Sequence, residues 1–423
     1  MSDRRGFSRR SALAAALAAI LAGCNATNPS PSPTAAVTPA PTATPAGPSP
    51  TAADPTAVYA LVASQVEAIR GLQPTAAVAP VLIDQAQLTK NLTEDFDRTN
   101  PPSAVENSQR VLIALGLLKP SDSLRTLVLD LQSGQVIGYY SPEQNELFVV
   151  SRAGGIGPTQ RLTYAHEFTH ELQDQHFDLN ALDLQAADQG DRSLARLSLV
   201  EGDAVSVQTT WMTTELTAAE LGQVAADASD PAALAALTRA PRILQETVFF
   251  PYTAGVAFVQ GLISTGGYAA VNAAFANPPA STEQIIHPEK YTTHEAPIAV
   301  TPASGLATKL GSGWSETARD TLGELTLRVW LQAGGVIASD ATTAAAGWGG
   351  DRLVLFAGPG GATALAIETA WDTATDATEF AAAATRALAG FGLASRIVHN
   401  DGSTRVSIAI GPDVTPLAAA LPG

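Results

Sequence analysis

Apolar residues between positions 58 and 116 recur every three or four residues, which is the spacing of one face of an α-helix. The first run follows Asp54 and stops before Gly71, a residue that commonly terminates helices. A second helix is predicted across Asp84–Arg98, and a third begins after Pro101-Pro102 and ends near Gly116. No cluster of reactive side chains lies on these predicted helices, so we interpret them as scaffold.

The apolar pattern shortens to a period of two between positions 125 and 150, which is typical of strands. Turn residues at 133–134 and 142–145 separate three predicted strands of a small antiparallel sheet, Thr126–Leu131, Gln135–Tyr140 and Glu146–Val150. Leu147–Val150 is a candidate edge for holding an extended substrate by strand addition. An ordinary hairpin in the core explains the same residues equally well.

Beyond about residue 305 the pattern predicts a second unit. Two helices come first, Glu316–Gln332 and Ser339–Trp348. Two strands, an alanine-rich helix and two further strands follow: Arg352–Phe356, Thr363–Trp371, Thr375–Gly390, Arg396–His399 and Arg405–Ile410. This order fits a small α+β domain.

The chain of 423 residues is longer than a single hydrophobic core usually supports. We therefore expect two domains, at residues 56–304 and 305–423. The fold class expected is α+β, with a mainly helical first domain that carries a small antiparallel sheet and a small α+β domain at the C-terminal end.

The first residues have the pattern of an export signal. Four arginines within residues 4–10 precede a short apolar run that ends in Leu21-Ala22-Gly23-Cys24. This resembles the lipobox of bacterial lipoproteins, which implies a signal peptide at 1–23, lipid on Cys24 and attachment to a membrane outside the cytoplasm. Arg4 and Arg5 also resemble the centre of a twin-arginine signal, so the general secretory and the twin-arginine routes both stay open.

The amino-acid composition excludes several kinds of site and of binding partner. Cys24 is the only cysteine, which excludes an internal disulfide or a thiolate zinc site. Residues 24–55 are rich in Pro, Thr, Ser and Ala and predict a disordered tether. Loss of the signal peptide would change the formal charge from −16 to −19, because residues 1–23 carry four arginines and one aspartate. Such an acidic protein is not expected to bind nucleic acid.

The residues with the clearest chemistry are His166-Glu167-Phe168-Thr169-His170, an H-E-x-x-H pentad on a predicted helix that starts near Gly157 and Pro158. Positions i and i+4 share one helix face, so His166 and His170 can bind one metal ion. Glu167 projects beside that ion, where a carboxylate can act as general base towards a water molecule.

Two residues compete to be the third metal ligand. His176 follows His170 by six residues, as in metzincins, but Gln173 occupies the position where that pattern requires a glycine turn. Glu201 lies in the apolar stripe of a later predicted helix, where a carboxylate without a cation would be costly. Catalytic zinc commonly has three protein ligands, and we favour Glu201 over His176.

H-E-x-x-H followed by a glutamate on a later helix resembles the gluzincin division of zinc peptidases, the thermolysin-like group. The resemblance implies one Zn²⁺ bound by His166, His170 and Glu201, with Glu167 as general base. Thermolysin-like enzymes often place an aspartate four residues after the ligand glutamate, and Val205 stands there instead. Asp203 is either a group that supports a ligand or a solvated helix acid.

Residues 281–291, together with the segment after Glu201, resemble predicted lipoprotein metallopeptidases of bacteria. Ser281 and Gln284 predict a short capped helix, which Pro288 ends. His287 thus lies on a stiff corner near Tyr291, and it is our candidate for the donor that stabilises the oxyanion. A structural histidine fits the same corner.

We therefore predict a lipid-anchored zinc peptidase outside the cytoplasm that acts on a peptide or protein substrate. The alternative is a non-catalytic envelope lipoprotein that binds substrates or acts as a scaffold and retains the fold. A zinc hydrolase of a non-peptide bond has the same ligands. The intact Glu167 argues against a pure binding protein, which needs no general base.

Overall fold

The computed structural model describes residues 54–77, 79–135, 138–150, 156–229, 235 and 237–423. The predicted signal peptide, Cys24 and almost all of the predicted tether lie outside these residues. Helices dominate, and the strands form two separate sheets, which confirms the α+β class. The helices before the motif are α1 (Pro55–Arg70), α2 (Gln85–Thr99), α3 (Pro102–Ala114) and α4 (Leu124–Gln135).

The first three predicted helices are confirmed as α1, α2 and α3. Helix α1 begins where the Asp54 side chain accepts a hydrogen bond from the amide of Thr56, and it ends at Gly71, which has φ +73°. A positive φ is readily adopted only by glycine, which explains the sharp end of the helix. Asp84 caps α2 in the same way through the amide of Gln87.

The first sheet differs from the prediction in two ways. Residues predicted as the strand Thr126–Leu131 belong to helix α4, which packs against α2. The sheet instead contains β1 (Pro80–Ile83), β2 (Gly138–Ser141) and β3 (Glu146–Val150). Strand β3 lies in the middle, parallel to β1 and antiparallel to β2. The edge role predicted for Leu147–Val150 is therefore wrong, because both sides of this strand are already paired.

Three long helices form the centre of the molecule: α5 (Pro158–Phe177), α6 (Gly190–Glu215) and α8 (Arg242–Ala276). Helix α7 (Ala218–Ala228) packs against α5. Helix α8 has Pro251 in its interior and non-helical backbone at Gly266 and Gly267. By length and composition α8 is apolar enough to cross a membrane, and 33% of its most apolar 18-residue stretch is buried inside the protein. The helix also packs along α6.

Glycines allow α6 and α8 to approach each other unusually closely. A β-carbon on Gly202 would lie 2.3 Å from the carbonyl oxygen of Gly255, and one on Gly255 would lie 2.3 Å from the carbonyl oxygen of Ser198. These distances are far shorter than any van der Waals contact, so no other residue fits at either position without a shift of the helices. The contact fixes α8 beside the part of α6 that carries Glu201.

The C-terminal sheet has the order β4-β5-β6-β8-β7, and all four of its neighbouring pairs are antiparallel. Its strands are β4 (Ser315–Asp320), β5 (Trp348–Ala357), β6 (Thr363–Trp371), β7 (Ser395–Val398) and β8 (Arg405–Ile410). The remaining helices are α9 (Thr282–Ile286), α10 (Pro288–Thr292), α11 (Leu306–Leu310), α12 (Gly323–Ala333), α13 (Ala338–Ala345), α14 (Ala374–Phe391) and α15 (Thr415–Ala418).

The predicted helix Glu316–Gln332 is wrong in its first part, because β4 occupies residues 315–320 and α12 begins only at Gly323. The polar sequence of β4 has no strand pattern of its own, and its pairing with β5 decides its conformation. The other predicted C-terminal strands and the helix at 375–390 are confirmed. One hydrophobic cluster includes side chains on both sides of residue 305, and the indole of Trp330 donates to the carbonyl of Leu115.

We expect Gly202→Ala to lower the free energy of unfolding by about 1–3 kcal/mol, because the added methyl group overpacks the α6–α8 contact. Gly261→Ala is the matched control, since Gly261 lies in α8 with no atom near its β-carbon position. The control should raise stability by about 0.5–1 kcal/mol through helix propensity. Chemical denaturation followed by circular dichroism measures both, and equal stability of the two variants would contradict the close contact.

Candidate metal centre

Helix α5 is enclosed along most of its length, and it carries the pentad inwards. His166 and Glu167 are 0% exposed and His170 is 2% exposed. The Nε2 atoms of His166 and His170 lie 3.0 Å apart, and the two imidazole rings stand almost perpendicular, at 86°. Both histidines therefore direct a ring nitrogen at one point, as the i, i+4 spacing predicts.

Glu201 on α6 completes this cluster. Its Oε2 lies 3.4 Å from His166 Nε2 and 3.3 Å from His170 Nε2. Zinc ligands at 2.0–2.1 Å from a tetrahedral ion lie about 3.3 Å from one another. The structure thus brings together the three ligands predicted from the sequence, with spacings that suit one ion.

His176 does not belong to the cluster, so the metzincin ligand set is wrong. Helix α5 continues through Phe177, and six residues at about 100° each turn His176 away from the face that carries His170. Its side chain is exposed, and its Nε2 lies 2.8 Å from the carbonyl oxygen of Gln73. Because Gln173 stands where the metzincin pattern has glycine, the helix does not turn there and His176 is not directed back to the cluster.

The donor set fits a divalent cation. Glu167 Oε1 is buried and accepts no hydrogen bond from any described residue, and Glu201 Oε2 is buried against the Nε2 atoms of both histidines. Burial of a carboxylate is costly, and a cation between the imidazoles and Glu201 would offset that cost. Two neutral imidazoles and one carboxylate are ligands that suit zinc.

Electrostatics within the cluster favour a positive charge at this point. Burial opposes the charged form of Glu201, yet the neighbouring His170 and His166 lower its pKa to about 2. Burial also opposes charge on His170, but Glu201 and Glu167 raise its pKa to about 9. Burial lowers the pKa of His166. Without a metal, a proton on His170 thus supplies the cation that Glu201 requires.

Glu167 is held in place by the backbone of the neighbouring strand. The amide of Tyr140, on β2, donates to Glu167 Oε2 at 2.9 Å. Burial raises the pKa of Glu167 to about 8, and the nearby charge of His170 works in the opposite direction. One oxygen is thereby anchored while the other, Oε1, stays available beside the cluster. This arrangement suits a general base that must accept and return a proton.

Amide side chains rather than carboxylates contact the rings behind the ligands. His170 Nδ1 lies 2.9 Å from Gln173 Oε1, and Gln173 Nε2 donates to Asp203 Oδ2 at 2.9 Å. Gln208, two turns after Glu201, lies beside His166. Asp203 is therefore connected to a ligand, as one of the two interpretations of the sequence allowed. These contacts take the place of the aspartate that is missing at Val205.

Tyr252 is the residue that the sequence analysis missed. It lies on α8 in an aromatic run that resembles ordinary core packing, and it is fully buried. Burial is the largest cause that raises its pKa, and the adjacent carboxylates of Glu201 and Glu167 raise it further. The hydroxyl therefore keeps its proton and can donate it towards the cluster. The only signal in the sequence was a tyrosine in an apolar helix, which needs a hydrogen-bond partner.

His287 is not brought to the cluster, so its predicted oxyanion role is corrected. Its Nε2 lies 3.1 Å from Glu324 Oε1, a contact that raises the pKa of His287. The same short segment binds the start of α6, where the amide and hydroxyl of Thr282 donate to Asp191. Asp191 is ten residues before Glu201, about 15 Å along the helix. The stiff corner is a structural junction with the C-terminal unit.

A second acidic group has the spacing of a metal site, but a lysine already occupies it. Glu283, Glu295 and Asp372 place carboxylate oxygens within 4.8 Å of one another. The Lys290 ammonium lies among them, at 2.7, 2.7 and 2.6 Å. This internal cation already binds all three carboxylates, so we assign no metal there.

Comparison with known proteins concerns only the C-terminal part. Residues 309–419 match a family described as a domain of unknown function (DUF8575). The match covers the second sheet and its helices and does not include the histidine cluster. Comparisons with curated proteins and with solved structures give no match.

Counting bound zinc separates the two ligand sets. We expect Glu201→Ala to lose stoichiometric zinc, because it removes one of three ligands, whereas His176→Ala should keep one ion per chain. Plasma emission spectroscopy of dialysed protein gives the count, and circular dichroism checks that both variants fold. Zinc loss in His176→Ala together with zinc retention in Glu201→Ala would reverse the assignment.

Proposed function

We propose that this protein is a zinc-dependent peptidase of the gluzincin type, held by lipid on Cys24 at the outer face of a membrane. The carrying observation is the buried cluster of His166, His170 and Glu201, with the carboxylate of Glu167 beside it. The motif spacing, the helical position of Glu201 and the unpartnered carboxylate oxygens all support a bound cation.

When bound, zinc would polarise the scissile carbonyl and increase the acidity of a water molecule. Glu167 would take the proton of that water through Oε1, while the Tyr140 amide keeps the carboxylate oriented. The same carboxyl group would then give the proton to the leaving amine. Burial raises the pKa of Glu167 to about 8 in the metal-free protein, and a bound cation would lower this pKa and leave the carboxylate ionised, as a base requires.

Tyr252 is the proposed donor to the developing oxyanion. It lies on α8 and interacts with the carboxylates of Glu201 and Glu167, and its raised pKa keeps the hydroxyl protonated. A protonated hydroxyl aimed at the reacting carbonyl oxygen stabilises the charge that appears only in the transition state. This role replaces the one predicted for His287.

We place the proposed substrate side of the cluster at the apolar layer around Tyr252. Val205 and Tyr252 pack together, and the half-buried side chains of Val248, Phe249 and Val256 lie against them.

The test of the function is cleavage of a diverse peptide library by the purified protein, with and without a chelator. We expect zinc-dependent cleavage by the parent and a loss of at least about 10²-fold in Glu167→Gln, with zinc retained, because a general base typically contributes that much. Mass spectrometry measures the products. An equally active Glu167→Gln variant would refute the mechanism, and a zinc-loaded parent that cleaves no peptide would favour a binding protein or a non-peptide hydrolase.

Tyr252→Phe is expected to lower kcat by about 10²-fold and to leave zinc content unchanged, because it removes one oxyanion donor without removing a ligand. His287→Ala is the comparison variant and should retain the parent rate when its fold is intact. Steady-state kinetics on a peptide identified in the library gives both values. A large loss in His287→Ala alone would restore the original assignment.

A further inference from the structure

We infer that Arg70, Asp203 and Gln173 form a positioning relay for His170, so that the first helix, α1, is part of the metal centre. The inference rests on the proposed metal site and concerns how that site is held. None of the three residues is a ligand, and all three are fully buried.

Gln173 sets the orientation of the His170 ring. Its Nε2 donates both to the carbonyl oxygen of Val200 at 3.0 Å and to Asp203 Oδ2 at 2.9 Å. Both of these partners can only accept, so the NH₂ group must face them and Oε1 must face His170. His170 Nδ1, 2.9 Å from that oxygen, must then carry the proton. When the ring is neutral, its Nε2 then has a free lone pair directed at the cluster, which is the form that binds a metal.

Arg70 holds Asp203 in place as the acceptor for Gln173. Arg70 Nε donates to Asp203 Oδ2 at 2.9 Å, and the side chains of both residues are 0% exposed. The guanidinium supplies the cation that a buried carboxylate requires. The ion pair thus fixes the direction of every hydrogen bond between α1 and His170.

The guanidinium group is itself held by aromatic rings rather than by further carboxylates. Arg70 Cζ lies 4.7 Å from the centre of the Tyr268 ring and 5.8 Å from that of Phe177. Its Nη1 and Nη2 atoms are buried and donate to no described residue. Arginine in this setting has one strong partner, Asp203, which makes the pair sensitive to the position of α1.

Helix α1 reaches this relay from its last residue, just before Gly71. It packs on α5 and α6, the two helices that carry all three proposed ligands. Because linkage is reciprocal, docking of α1 should strengthen metal binding, and metal binding should strengthen docking of α1. The segment that follows the predicted tether is then able to control the metal centre from a distance.

The test compares zinc affinity in the relay variants with that in a control. Arg70→Met/Asp203→Asn removes the relay charges together, so that neither remains buried alone, and Gln173→Met removes the amide without changing any charge. Val62→Ala is the control, because Val62 is buried on α1 in an apolar cluster, about two turns before Arg70. Competition with a chromophoric chelator gives the dissociation constants of the purified full chain. We expect both relay variants to bind zinc about 10- to 100-fold more weakly and the control to stay within about threefold of the parent.

Hydrogen exchange supplies a readout that loss of packing alone would not change. Zinc should slow exchange of the α1 amides in the parent and in Val62→Ala, whereas in Arg70→Met/Asp203→Asn it should slow only those of α5 and α6. Relay variants that bind zinc like the control, or zinc protection of α1 that survives loss of the relay, would overturn the inference. A parent that binds zinc but cleaves no peptide would contradict the proposed function alone, since the affinities still test the relay.

Discussion

The enclosure of charge between α5, α6 and α8 is the constraint on which the rest of the structure depends. His166, Glu167, His170 and Glu201 are at most 2% exposed, and isolated charges at such positions cost several kcal/mol each. They are tolerable as a group because each ionised member has an opposite charge within contact distance. Around them the three helices present apolar side chains, which exclude water and strengthen the same electrostatic interactions.

That enclosure requires the backbones of α6 and α8 to come close to each other. The glycines at 202 and 255 let α8 lie against α6 next to Glu201, and the hydroxyl of Tyr252 on α8 then reaches the carboxylates. The first sheet closes another side of the cluster by pairing β2 with β3 and aiming a backbone amide at Glu167. The C-terminal sheet shares the largest hydrophobic cluster with these helices and supports α6 at its start.

The parts of the site that depend on local spacing were predictable from the sequence. His166 and His170 share a face because four residues make about one helical turn, and Glu201 stood out as a carboxylate in an apolar stripe. Parts that depend on tertiary pairing were not predictable. Residues 126–131 have strand-like composition but pack as a helix, β1 is too short to recognise, and Tyr252 and Arg70 carry no local signal of their role. His287 has the right residue type on a stiff corner, yet only the fold reveals that the corner meets Glu324.

The orientation of the Glu167 carboxylate depends on a backbone amide, that of Tyr140, and not on a particular side chain. Any amino acid except proline supplies a backbone N–H at position 140, so this contact does not depend on the chemistry of the side chain. The register of β2 against β3 matters more, because successive amides point to opposite edges of a strand, and a shift of one residue would turn the Tyr140 amide towards β3. The turn at residues 142–145 sets that register, so its length decides which amide faces Glu167.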